Sequence, residues 1–323
     1  METVSGMSNW KLVIRREKSG ITILRGTTCD VRAVLPETLL GLPVTALGRH
    51  ALSPNGPEAE GEEVLVTCGA PEEEWTNARL RELTLPASLE RVEDYALFNC
   101  AQLQKLNLYD GVRFWGGGAL MNCRSLDTFH LTRVGEQGET LAYFADELSR
   151  ELDVTIRDTD GGEVRLIFPE YVEVYEENCP AHHFDYNIYG AGYPYHHCFR
   201  NKKLSLKEYD GLWREFLGVE HDEGCAVRLA WWRLRYPAEL TDKAREAYRT
   251  YLGSHVREAA AWLLEQRDLT GLHDLLAWTR PDRETLSAVC ALARDKQAPE
   301  AVALLLEEQH RRFPPAAERS FDL

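Results

Sequence analysis

The sequence predicts an α+β repeat protein: a short solenoid of leucine-bearing coils with a β-strand face, followed by a domain of α-helical hairpin repeats. Two observations predict it. A six-residue segment returns at a fixed spacing of 23 residues between Leu80 and Leu131. From Leu206 onward, apolar residues recur at helical spacing between regular Gly and Pro breaks. A short fixed period marks stacked units, none of which can bury its apolar face alone.

The chain has 323 residues, of which 44% are hydrophobic and 28% charged. At about 150 residues per domain this suggests two domains with a real core. The net charge of -15 repels phosphate backbones, so no nucleic-acid partner is expected. The acidity is regional: residues 56–76 hold seven Glu and no Lys or Arg, and residues 134–180 hold thirteen acids against three bases. A solvated face or loop is the simple reading of both windows. The amino terminus shows no basic start, apolar h-region or small-residue cleavage site. No window approaches the roughly 18 apolar residues of a membrane helix. The eight Cys then read as reduced thiols, with the cytoplasm as the expected location and no membrane partner.

In chain order, Trp10 to Val13 and Ile21 to Leu24 read as a two-strand cap. A degenerate first coil spans Val34-Leu35-Pro36-Glu37-Thr38-Leu39 and Pro43-Val44-Thr45-Ala46-Leu47-Gly48, and residues 56–76 read as an acidic insertion after it. The regular coils begin at Leu80-Arg81-Glu82-Leu83-Thr84-Leu85. They return at Leu103-Gln104-Lys105-Leu106-Asn107-Leu108 and at Leu126-Asp127-Thr128-Phe129-His130-Leu131. Each L-x-x-L-x-L ends with period 2, the signature of a short strand. Ala96, Leu97, Asn99 and Cys100 keep step with Ala119, Leu120, Asn122 and Cys123, and Cys100 and Cys123 are expected as buried, reduced thiols. Gly116-Gly117-Gly118 departs from the equivalent Glu93-Asp94-Tyr95. Residues 1–133 are thus expected as one domain.

Residues 139–151 carry Leu141, Phe144 and Leu148 at helical spacing. Val154-Thr155-Ile156 and Val164 to Phe168 flank Asp160-Gly161-Gly162, a hairpin signal. A bridge is therefore expected over 134–203. The helical domain, 204–323, is expected as helices 206–217, 223–236, 241–252, 255–266, 270–278, 283–294 and 298–312. Within it, residues 268–276 and 297–305 look like one unit repeated 29 residues on.

The phrases LP-x-S-L, V-x-x-x-A-L-x-N-C and L-x-x-L-x-L make residues 10–133 resemble the treponemal-type (BspA-like) leucine-rich-repeat family. GLPVTALGRHAL resembles that family's usual first-coil phrase. The resemblance implies a curved, partner-binding solenoid and no catalytic residue. The short helices and Leu-Leu pairs after Leu206 resemble degenerate ankyrin-like helix hairpins.

Candidate chemistry concentrates at 179–199. Cys179, His182, His183, His196, His197 and Cys198 are of zinc-ligating type, although C-x2-H-H and H-H-C match no recognised finger. The same stretch carries Phe184, Tyr186, Tyr189, Tyr193, Tyr195 and Phe199, aromatics of the kind favoured at interfaces. Four carboxylates, Glu170, Glu173, Glu176 and Glu177, read as a solvated face. No G-x-S-x-G, P-loop or H-E-x-x-H occurs. No catalytic residue and no cofactor are expected. The expected task is non-catalytic protein binding by an unknown protein partner. The surfaces expected to do it are Arg81, Thr84, Gln104, Asn107, Asp127 and His130 on the coils, with Tyr186, Tyr189, Tyr193 and Tyr195 on the loop. The alternative is a metal-binding protein or metal-dependent enzyme centred on 179–198.

Overall fold

The computed structural model describes residues 2–70, 74–135, 138–178 and 183–314. The chain divides into two units, Met1–Glu220 and His221–Leu323.

The first unit opens with Glu2–Ser5 (β1), Trp10–Arg16 (β2) and Ile21–Thr28 (β3). β2 and β3 pair antiparallel, and alternation turns Trp10, Leu12 and Ile14 inward. Arg32–Val34 (β4), Thr38–Leu39 (β5), Leu42–Leu47 (β6) and Glu62–Thr67 (β7) follow. β7 lies within the acidic insertion expected over 56–76. It lies between β1 and β2, with Val64 and Val66 buried and its glutamates at the exposed end. The acid count concealed a Val-x-Val alternation that suffices for a half-buried strand.

Next come Glu82–Thr84 (β8), Arg91–Val92 (β9), Lys105–Tyr109 (β10), Phe114–Trp115 (β11) and Thr128–Arg133 (β12). Here the 23-residue recurrence sets the register of parallel pairs. Glu82 pairs with Lys105 and Lys105 with Thr128, which files Leu83, Leu106 and Phe129 on the buried face. Cys100 and Cys123 are free, buried thiols. Burial pushes the Cys123 thiol up to about 12. The glycine departure also has a steric cause: a Cβ on Gly116 would stand 2.2 Å from the Asp94 nitrogen. Gly118, at φ +62°, faces the Tyr95 ring, where a Cβ would meet it at 2.7 Å.

Thr140–Glu147 (α1), Leu152–Asp158 (β13) and Glu163–Phe168 (β14) continue the unit. Val172–Asn178 (β15), His183–Tyr189 (β16), Tyr193–His196 (α2), Phe199–Arg200 (β17) and Lys203–Leu204 (β18) come next. Leu206–Gly211 (α3) and Trp213–Phe216 (α4) replace the single helix expected over 206–217. One sheet runs β1-β7-β2-β3-β6-β9-β11 with β5 on β6, and a second runs β14-β13-β12-β10-β8-β4. β15-β16 and β17-β18 are separate pairs.

This corrects the expected fold class. The described residues form a mixed α/β arrangement of several sheets with a helical region after it, not a solenoid with one strand face followed by helical hairpin repeats. The 23-residue unit governs only the inner parallel strands. β2 runs antiparallel to both β3 and β7, and β14 antiparallel to β13, so both large sheets are mixed.

The second unit is helical: Glu223–Arg235 (α5), Asp242–Ser254 (α6), Val256–Glu265 (α7), Leu269–Thr279 (α8), Arg283–Asp295 (α9) and Pro299–Arg312 (α10). Asp222, Thr241, Asp268 and Asp282 cap four of these helices, each side-chain oxygen accepting from a first-turn N–H. The two segments 29 residues apart each open a helix, α8 and α10, with different caps. Asp268 caps α8, whereas Ala298 cannot cap α10, whose first helical residue is Pro299. Trp231 is fully buried, its ring 5.0 Å from that of Trp278. No helix among the described residues is long and apolar enough to cross a membrane.

Candidate functional site

Strand alternation sorts the residues of the β4–β14 sheet into a buried apolar face and an outer polar one. Pairing then brings Thr84, Asn107 and His130 into one row across β8, β10 and β12, continued by Thr155 and Arg165. The Asn107 amide donates to Glu82 Oε1 at 2.9 Å and to Thr84 Oγ1 at 3.1 Å. Lys105 pairs with Glu82 at 3.2 Å and Arg165 with Asp153 at 2.6 Å. Arg81, Gln104 and Asp127 are exposed and in file at the entry to these strands: the Gln104 N–H donates to the Arg81 carbonyl, and that of Asp127 to Gln104. The outer face is therefore polar and of mixed charge.

β15 and β16 make a second surface. Their antiparallel register puts Val172, Val174 and Glu176 opposite Tyr189, Asn187 and Asp185 on one face. Glu173 and Tyr175 stand opposite Ile188 and Tyr186 on the other. Tyr175 is 69% exposed and Tyr189 56%, and Val172, Tyr186 and Ile188 are also exposed. The Tyr175 and Tyr186 rings lie 4.7 Å apart. Tyr186 donates its hydroxyl to Glu173 at 2.8 Å, which holds that phenol protonated well above its ordinary range.

Tyr193 and Tyr195 lie outside this strand pair, in α2. Tyr195 is fully buried against Tyr209 and Phe216, which corrects its expected place at a partner surface. Tyr193 is half-buried, stacked on His197 at 4.0 Å. Sequence reasoning missed Tyr175 and Val172, although period 2 through Val172-Glu173-Val174-Tyr175 was there to find.

Of the zinc-type residues, Cys179 and His182 lie outside the described residues, and His183 contributes backbone to β16. His196 is buried with Nδ1 2.9 Å from the Ala145 carbonyl and Nε2 2.9 Å from that of Pro169. The Cys198 thiol donates to the Tyr195 carbonyl, and burial pushes it up to about 12. His197 is exposed, its Nδ1 against the Tyr193 carbonyl. Neighbours in sequence thus face different surroundings. Among the described residues no three His, Cys, Asp or Glu side chains are placed to hold a metal ion. A cavity of about 610 Å³ beside α1 is lined by Arg113, Trp115, Glu139, Tyr143, His197 and Lys202. Its polar groups include the Lys202–Glu139 pair at 2.8 Å and Tyr143, whose hydroxyl donates to the Gly116 carbonyl.

Burial holds the His196 pKa below its usual value, against the opposing pull of its two carbonyl partners. Burial does the same to His130, reinforced by Lys105, Arg157 and Arg165. A histidine whose folded pKa is depressed stabilises the fold above its unfolded value, about 6.5. That stability is lost as pH falls through the folded value. Urea midpoints are therefore expected to drop between pH 7.5 and pH 5, less so in His130→Gln; an equal drop in both proteins would remove His130 from the account.

No family model, curated protein or solved structure matches the chain.

Proposed function

We propose that the chain is a non-catalytic protein-binding scaffold that engages its partner through the β15–β16 hairpin and the outer face of the β4–β14 sheet. The hairpin carries the reading. An isolated two-stranded ribbon is marginally stable in water, and large apolar side chains left on its faces mark interaction sites in folded proteins. Val172, Tyr175, Tyr186, Ile188 and Tyr189 are such side chains, and tyrosine is among the residues enriched in interface cores. The polar outer face adds hydrogen-bonding groups already held in rows, which favours a partner that reads position over one that only buries area.

Affinity capture with cross-linking on the full chain tests this. Changing Tyr175, Tyr186 and Tyr189 together to Ser, or Arg81, Gln104 and Asp127 together to Ala, is expected to release captured proteins at least about tenfold. The circular dichroism spectrum should not change. Retention of every captured protein by both variants would overturn the reading.

A further inference from the structure

We propose that the β15–β16 hairpin receives an extended protein segment carrying Lys or Arg, which adds as a strand to one open edge of the ribbon. The inference rests on the protein-binding reading above and names the partner's chemistry.

Among the described residues each strand of the ribbon pairs only with the other, so each presents one open edge of N–H and C=O groups. Open edges are templates for a further strand, and an extended peptide satisfies them while its side chains fall alternately on the two faces. Those faces already bear Tyr175 with its ring 4.7 Å from that of Tyr186, and Val172 opposite Tyr189. They offer rings and methyl groups to alternate residues of an added strand.

Charge then selects the strand. Residues 166–199 contain no Lys or Arg, while Glu170, Glu173, Glu176 and Asp185 are all exposed. Glu176 stands directly opposite Asp185 across the two strands. Like charges at opposed positions destabilise a strand pair, and among the described residues neither carboxylate has an ion-pair partner. A cationic side chain from an added strand would turn that repulsion into attraction, while the long stems of Lys and Arg can lie along the exposed rings. The same carboxylates oppose a second copy of this hairpin, an anionic membrane surface and a nucleic-acid backbone.

Fluorescence anisotropy on the full chain tests the proposal with a labelled peptide, Thr-Lys-Val-Lys-Val-Lys-Thr. Its controls are the peptide with Glu for Lys and the parent peptide with alternate amides N-methylated. The Lys peptide should bind more weakly as salt rises, and at least about tenfold more weakly to a Glu173→Lys, Glu176→Lys, Asp185→Lys variant. The milder Glu176→Gln should weaken it in the same direction, which guards against misfolding of the charge-reversed chain. Equal binding of the Lys and Glu peptides would overturn the charge argument, and equal binding of the N-methylated peptide would overturn strand addition. A chain dimer lost in Tyr175→Ser, Tyr186→Ser would overturn the proposal in favour of a second copy. If no Lys peptide binds while the tyrosine variant still releases captured proteins, the basic-strand inference falls and the protein-binding reading stands; if both fail, both fall.

Discussion

Phe144→Ala is expected to lower the stability of the folded chain by about 3–5 kcal/mol, the cost of emptying a well-packed aromatic site. Phe144 is fully buried on α1. Its ring lies 4.5 Å from Phe129 of β12 and 5.0 Å, edge on, from Trp115 of β11. It therefore joins one helix to both large sheets, since β11 ends one and β12 lies inside the other. Neighbouring rings cannot close the gap easily. Trp115 is stacked on Tyr143, and the Tyr143 hydroxyl is held by the Gly116 carbonyl at 2.8 Å. Against a typical total of about 5–15 kcal/mol the loss is large. It is measured as the shift in urea midpoint followed by near-ultraviolet circular dichroism. A shift equivalent to less than about 1 kcal/mol would mean that α1 does not depend on this ring.

The position of Phe144 could be read from helical spacing, but the consequence of its ring could not. Spacing reports which face of an element is apolar; it does not report which element meets that face. The same limit explains the fold. Leu83, Leu106 and Phe129 announced their register because each repeats a local pattern 23 residues on. β1 and β7 carry no such pattern, and they pair across some sixty residues of chain, Glu2 with Val64. Nothing local specifies a pairing of that span, so the place of β7 between β1 and β2 could not be read from the acidic segment alone. At the candidate site, Tyr186 and Tyr189 were legible as aromatics near glycines. The burial of Tyr195 was not, because it depends on Tyr209 and Phe216 arriving from later helices. His196 and His197 read alike in sequence and end respectively in the core and in solvent. Side-chain type narrows the chemistry available, while tertiary packing decides which group can use it.

Asn77 is the extreme case of a residue that no spacing rule marks, and its replacement by Asp should cost more than about 3 kcal/mol at neutral pH. Its side chain is 1% exposed. Oδ1 accepts from the Thr28 N–H at 3.0 Å, while Nδ2 donates to the Gly26 carbonyl at 2.8 Å and to the Leu52 carbonyl at 2.7 Å. One amide thus ties the exit of β3 to the turn after β6 and to the segment entering β8. Asn77→Asp keeps the shape and reverses the sense of two bonds, so that carboxylate oxygen faces carbonyl oxygen in a dry site. Burial and those carbonyls disfavour the charged form, which raises the folded pKa above the unfolded value of about 3.9. A raised pKa contributes stability that is complete below the unfolded value and lost as pH rises through the folded one. The deficit of Asn77→Asp should therefore shrink between pH 7.5 and pH 4.5, where the protonated acid can donate one of the two lost bonds. Asn77→Leu breaks all three bonds without adding a charge, so its deficit should not change across that range. Urea midpoints of the two variants, each set against the parent chain at both pH values, separate these cases. A deficit that is the same at both pH values for Asn77→Asp would place the new carboxyl in water, and with it the junction that the Asn77 amide is argued to close.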